Sequence, residues 1–463
     1  MKKYILFGAA RQGFEYYSEH KQDSIYCFFD NNPSKWGTKH EGISILKPVY
    51  LGEDYHVIIA NDKHDIDMVN QILELGYKHF SVIYPKGQNV GNDAFGLDTF
   101  DYSKYVNFDV DDRKVVLLAN TTSGSNSWCF KYYVENVIKD KTFKMTILET
   151  RKKTHNFYYE IFTAKFIALT SSFTSIKNKV IIQFFHGLPL KRIGYMDKFV
   201  TDTSFELTHK DMINANYILS YSRFYSVVFG SCFGVPSNKY LEIGVPRNDV
   251  LLSSDGRNKI AKLFPQTIGK RMLLYMPTYR ERTLYSDNDT KGYIFMYPDF
   301  NLKQFSSFLE DNGLVLLIKM HVEDTKRFSS FSANCKNIIF LTDDYFENED
   351  FYGYINGTDY LITDYSSIYF DYLLLNKPVF FAHLDIEKYE QERGLMFENM
   401  DFWCAGHSFK TIIDFENALI NVMSGNDEYK EKRLLLKKMI HSSYNCDSSV
   451  KLLSVMKGCL YEK

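Results

Sequence analysis

Short apolar runs alternate with amphipathic stretches from the first residues onward. Tyr4–Phe7, Ile25–Phe29, Val57–Ala60 and Phe80–Tyr84 read as strands, and Gln12–Lys21 and Asp65–Leu75 carry helical spacing, the second stopped by Gly76. Strands alternating with helices predict parallel βαβ units. From Lys86 to Asp112 the pattern lapses into Gly, Asn and Asp with scattered aromatics. An N-terminal α/β domain over 1–88 and a linker over 89–112 are therefore expected. A second series runs through Lys114–Ala119, Val180–Phe185, Tyr217–Ser220 and Tyr240–Ile243. A third runs through Met272–Met276, Leu314–Met320, Ile338–Leu341, Tyr360–Thr363 and Val379–Ala382, and the tail from Asp427 to Leu460 is helical. The expected organisation is two further lobes, 113–255 and 256–463, after the N-terminal domain.

Composition narrows the class. Of 463 residues, 45% are hydrophobic and 24% charged, the balance of a soluble globular protein rather than a disordered chain. A formal charge of −2 excludes a nucleic-acid binder whose whole surface is basic. The cysteines are odd in number and scattered, with neither metal-site spacing nor the pairing of a disulfide framework, which points to a reducing cytoplasm. The apolar start ends at Arg11 with a glycine turn inside it, so it reads as a strand rather than a signal peptide. No stretch approaches the ~18 uninterrupted apolar residues of a membrane span. Lys430, Lys432, Arg433, Lys437 and Lys438 in the tail suit either a solvated helix face or peripheral contact with an anionic membrane.

Gly8-Ala-Ala-Arg-Gln-Gly13 follows the first strand and opens a helix, and Asp30 ends the second strand. This is the context of a Rossmann dinucleotide turn, with glycines for close approach and an acid for ribose. The middle glycine is Ala10, which disfavours a nicotinamide cofactor. Gly8, Gly13 and Asp30 are thus candidates for another small ligand, or a relic of the fold.

Five polar clusters fall at carboxyl ends of predicted strands: His186–Lys191, Gly244–Asp249, Pro277–Arg280, Lys319–His321 and Thr363–Ser367. Ligands of open α/β sheets bind outside those ends. Thr363, Ser366 and Ser367 at a helix start offer hydroxyls and free N–H groups to phosphate, and Arg247, Arg280 and Lys319 supply positive charge. His186 or His321 could take a proton from an alcohol. The set suits transfer of a phosphoryl or glycosyl group from a nucleotide diphosphate donor. A sugar-nucleotide glycosyltransferase and a non-catalytic nucleotide-binding scaffold remain open on the same residues.

The clusters resemble a known family, the CDP-glycerol glycerophosphotransferases of teichoic acid synthesis with their ribitol-phosphate and capsule-polymer relatives. The matching segments are Ile182–Gly194, Gly244–Asp249, Tyr275–Arg280, Ile318–His321, Leu361–Tyr372 and Lys388–Gly394, within a likeness running from Lys114 to the C-terminus. The resemblance implies an α/β fold of two Rossmann-like lobes of glycosyltransferase-B type, the donor in the C-terminal lobe. The N-terminal Rossmann-like domain is additional. The resemblance also implies essential roles for His186 and His321, with Gly187 and Lys191 on the acceptor side. Here Phe185 replaces the family's usual Trp, Leu188 its Thr, Val322 a Pro and Ser448 a Gly. The implied reaction moves a polyol phosphate, first of all glycerol phosphate, from a CDP-linked donor to a hydroxyl of a polymer or lipid-linked acceptor. It would occur in the cytoplasm, with peripheral contact at the inner face of the membrane left open. No cofactor is demanded, and a divalent cation is compatible with the chemistry.

Overall fold

The computed structural model describes residues 3–21, 23–61, 63–85, 97–103, 110–119, 124–150, 152–170, 176, 178–278, 297, 299–320, 335–346, 349–442 and 444–461. Three sheets organise them. The first holds β1 (Lys3–Phe7), β2 (Ile25–Phe29), β3 (Lys39–His40), β4 (Ile43–Leu46), β5 (Tyr55–Ile59), β6 (Phe80–Pro85) and β7 (Leu97–Asp101), in the order β3-β4-β2-β1-β5-β6-β7. Its centre is parallel, and the β3–β4 and β6–β7 pairs are antiparallel. β7 lies inside the stretch expected as a linker; its Leu-Asp-Thr-Phe-Asp pattern is short, but edge pairing with β6 satisfies its backbone.

The second sheet has the order β13-β12-β11-β10-β8-β9, from β8 (Asp111–Ala119), β9 (Lys144–Glu149), β10 (Ala164–Leu169), β11 (Val180–Gln183), β12 (Tyr217–Ser220) and β13 (Tyr240–Glu242). The periodicity does not announce β9 and β10. Helix His155–Thr163 passes directly into β10 with no Gly or Pro between them, so the helix-to-strand switch leaves no local mark. The third sheet is parallel throughout, with the order β16-β15-β14-β17-β18-β19, from β14 (Arg271–Tyr275), β15 (Leu314–Ile318), β16 (Ile338–Phe340), β17 (Tyr360–Thr363), β18 (Val379–Ala382) and β19 (His407–Phe409). All five residues of β15 (Leu-Val-Leu-Leu-Ile) are buried, as expected of a strand covered on both faces. Its core joins Leu273, Leu316, Ile318 and Phe380 to Phe305 and Phe415. Each such side chain contributes about 1.5–3 kcal/mol by leaving water.

The helices used below are α1 (Arg11–Glu19), α2 (Asp65–Glu74), α3 (Ser125–Tyr132), α4 (His155–Thr163), α5 (Arg223–Phe233), α6 (Pro246–Ser253) and α7 (Ile368–Tyr372). Contacts group the chain into two compact units: Met1–Thr121 with Lys141–Ile182 and Asn214–Asn216, and Thr122–Asp140 with Gln183–Ile213 and Tyr217–Lys463. In the first, Asp65 at the start of α2 is buried and accepts from Lys153 Nζ at 2.7 Å and Tyr158 Oη at 2.5 Å. Among the described residues, no helix is long and apolar enough to cross a membrane.

Candidate functional site

The chain leaves β11 through a strained elbow. Phe185 has φ +55°, an uncommon conformation for a non-glycine residue, and Gly187 has φ +104°. His186 stands between them. The Phe185 N–H donates to Gln183 Oε1 at 3.0 Å, and its carbonyl accepts from Asn126 Nδ2 at 3.1 Å. Its ring packs edge-on against Phe229 and Phe233 of α5. The His186 carbonyl accepts from Arg247 Nη2 at 2.7 Å. Gly187 has no room for a side chain, since a Cβ there would stand 2.4 Å from Arg247 Nη2 and 2.7 Å from Tyr221 Oη.

Among the described residues, no hydrogen bond engages the His186 imidazole. Its pKa is pushed down from 6.5 to about 4, by burial first and then by the charges of Arg247 and Lys191. The residue nevertheless keeps an exposed face. Solvent reaching the residue softens the desolvation. The direction stands on the two neighbouring cations as well. The ring is neutral at pH 7 and has a lone pair available.

Arg247, in the first turn of α6, is the buried cation behind this elbow. Its Nη2 pairs with Asp371 Oδ2 at 2.7 Å and donates to Tyr221 Oη at 2.9 Å, and its guanidinium lies 5.1 Å from the Tyr352 ring centre. Asp371, in α7, has no exposed surface and also accepts from Tyr221 Oη at 2.6 Å and Tyr352 Oη at 2.7 Å. The expectation put Arg247 on donor phosphates; the structure gives its guanidinium to a carboxylate, a phenol and a backbone carbonyl. Sequence reading also passed over Asn126, Tyr221 and Tyr352, which come from three distant segments. Asp371 lies inside a motif segment but carried no assigned role.

At the end of β17 the residues divide into internal and free groups. Thr363 is fully buried and its hydroxyl donates to the Met276 carbonyl at 2.7 Å. Asp364 Oδ1 accepts from the Thr278 N–H and hydroxyl, both at 2.7 Å, and so holds the loop after β14. Ser366 and Ser367 are half-buried, and no hydrogen bond involves their hydroxyls among the described residues. Ser367 makes no side-chain cap on α7, so simple helix capping does not account for it. Lys319, after β15, pairs with the half-exposed Asp343 at 2.8 Å. Arg280 and His321 lie outside the described residues.

Two of the motif segments meet. Lys191 bridges antiparallel to Leu395, the Arg192 N–H donates to the Gly394 carbonyl at 3.0 Å, and the Met396 N–H donates to the Leu190 carbonyl at 2.7 Å. The segment after His186 is thereby pinned to the Lys388–Gly394 segment. Among the described residues, no group of three or more His, Cys, Asp or Glu could hold a metal ion.

The N-terminal turn is built differently. A Cβ on Gly8 would stand 2.4 Å from the Ala60 carbonyl oxygen, and one on Gly13 would stand 2.0 Å from that of Gly8. Chain packing alone therefore requires both glycines. Asp30 Oδ2 accepts from the Ala9 N–H at 3.0 Å and Lys35 Nζ at 2.9 Å, and Oδ1 accepts from the Asn32 N–H at 2.8 Å.

Residues 111–456 match a family model described as CDP-Glycerol:Poly(glycerophosphate) glycerophosphotransferase. The chain belongs to this family. It is 26% identical over 326 residues to a teichoic acid poly(glycerol phosphate) polymerase of Staphylococcus epidermidis, covering 66% of this chain and 42% of that one. It is 27% identical over 285 residues to the teichoic acid ribitol-phosphate polymerase TarL of Staphylococcus aureus, covering 59% and 46%. The matched part thus spans less than half the length of these curated relatives. The solved wall teichoic acid polymerase TagF superposes with a TM-score of 0.63 at 22% identity, over 78% of this chain and 93% of that chain. The family chain has the expected α/β fold of glycosyltransferase-B type, with the first sheet lying ahead of the family match.

Proposed function

We propose that this family member moves glycerol phosphate from CDP-glycerol to a hydroxyl of a teichoic-acid-like or capsular polymer, releasing CMP. The observation that carries this reading is the unengaged, neutral imidazole of His186 on a strained elbow inside a family motif. Strained residues held by a packed surround cluster at active sites. In the step we assign, an acceptor oxygen bonds to the glycerol-bearing phosphorus, its proton passes to His186, and the bond from that phosphorus to the CMP oxygen breaks. CMP leaves readily because its phosphate carries a second charge near neutral pH. Most of the remaining work is stabilising negative charge on the bridge and on the leaving phosphate.

The free hydroxyls of Ser366 and Ser367 are assigned to that bridge, together with Lys319, which would exchange Asp343 for phosphate. Arg280 and His321 are assigned to the donor from the motif alone, and Gly187 and Lys191 to the acceptor side. The anionic donor would raise the His186 imidazole toward neutrality as it binds, improving the base when it is needed. The exposed Tyr195, Met196 and Phe199, just after the His186 segment, are the surface assigned to a lipid-linked acceptor at the inner face of the membrane.

A ribitol donor is the second reading, favoured by the TarL match at the same level of identity as the glycerol-phosphate polymerase. Nucleotide release from CDP-glycerol, CDP-ribitol and a UDP-sugar, each with a polymeric acceptor, separates the readings. The expected result is CMP from CDP-glycerol at least ~10-fold faster than from CDP-ribitol. Turnover of the UDP-sugar alone would replace the proposal with a glycosyltransferase.

A further inference from the structure

We infer that Arg247 and Asp371 are positioning residues whose buried ion pair fixes the backbone under His186 and ties it to the helix that follows Ser366 and Ser367. This rests on the functional reading above, in which His186 takes the proton and the two serines face the donor.

Consecutive carbonyls of the elbow are held from behind. Phe185 O accepts from Asn126 Nδ2, and His186 O accepts from Arg247 Nη2. The two donors are themselves joined, since the Arg247 N–H donates to Asn126 Oδ1 at 3.2 Å. Arg247 is held in turn by Asp371, which accepts from Tyr221, Tyr352 and Arg247, so the carboxylate is satisfied on several sides. Asp371 sits four residues after Ser367 in one short helical segment. A chain of hydrogen bonds therefore runs from Asp371, on the helix that follows Ser367, through Arg247 to the His186 carbonyl, entirely within the second compact unit.

A purely stabilising ion pair is the competing account. Buried pairs are weak stabilisers, because desolvation offsets most of the attraction and well-packed apolar pairs often replace them without loss. Stability alone also does not explain why the guanidinium reaches the carbonyl of an exposed histidine, or why Gly187 leaves it the space. Holding that carbonyl fixes where the imidazole can point. A displacement of about 1 Å of a reacting group costs ~100-fold in rate.

The test is the double variant Arg247→Met/Asp371→Leu, which removes both charges together and leaves no unpaired ion. Expected are thermal unfolding near wild type, a KM for CDP-glycerol within threefold, kcat down ~100-fold, and faster hydrogen exchange of amides 185–188 and 190. A kcat within threefold of wild type, or unchanged exchange of those amides, overturns the inference. If wild type releases no CMP from CDP-glycerol, the functional reading fails and the exchange comparison alone decides this one. Should the double variant not fold, Arg247→Lys and Tyr221→Phe serve. Each retains the charge pair while weakening the hold on the elbow, and each is expected to lose ~10-fold in kcat at unchanged KM. A wild-type kcat in both would overturn the inference.

Discussion

The Gly8–Gly13 turn and the His186 elbow invite the same description, a glycine-bearing loop at the end of a strand, and they are built in opposite ways. In the N-terminal turn the glycines answer to backbone carbonyls, Gly8 to that of Ala60 and Gly13 to that of Gly8, and Asp30 is bonded to Ala9, Asn32 and Lys35 of the same compact unit. In the elbow the glycine answers to the side chains of Tyr221 and Arg247, while the imidazole has no hydrogen-bond partner among the described residues. A closed hydrogen-bond account explains a fold. An account that closes around one unengaged titratable group indicates chemistry.

Gly187→Ala against Gly13→Ala is the sharpest way to press that contrast. The first drives a Cβ toward Arg247 Nη2 and is expected to lower kcat ~100-fold through misplacement of His186. The second crowds the Gly8 carbonyl and is expected to cost about 1–3 kcal/mol of stability, with turnover of the folded protein within twofold of wild type. Denaturant unfolding and initial rates of CMP release measure both. Reversal of the two outcomes would put the chemistry at the Gly8–Gly13 turn.

A smaller effect concerns pH. An imidazole at its ordinary 6.5 would be about nine-tenths protonated at pH 5.5, and kcat/KM of the free enzyme would fall ~10-fold from its neutral value. His186 lies near 4, so its neutral form persists down through that range and is lost only as the pH approaches 4. The expected kcat/KM between pH 7.5 and 5.5 therefore changes by less than about twofold. An acid limb at 6.5 would mean that Arg247, Lys191 and burial do not act on the ring as described.

The alternation of apolar runs and the polar residues at their ends were legible in the chain, and so were the three α/β series and the motif clusters. β9 and β10 were hidden, the latter because α4 runs into it without a breaker. The partners of the elbow were hidden for another reason. Whether Arg247 faces solvent or a carboxylate 124 residues away depends on tertiary packing, and a charged residue after a strand reads alike in both cases. Asn126 carried no local signal at all. Thr363 likewise lies in the expected loop with its hydroxyl turned to the Met276 carbonyl, a partner that only tertiary packing supplies.

CMP release from CDP-glycerol by His186→Ala, with its unfolding curve recorded beside that of wild type, tests the central claim most directly. Because the ring has an exposed face and no hydrogen-bond partner among the described residues, the variant is expected to unfold with wild type while losing ~10²–10⁴-fold in kcat. Wild-type turnover by a properly folded His186→Ala protein would contradict the account, since no proton would then need that imidazole.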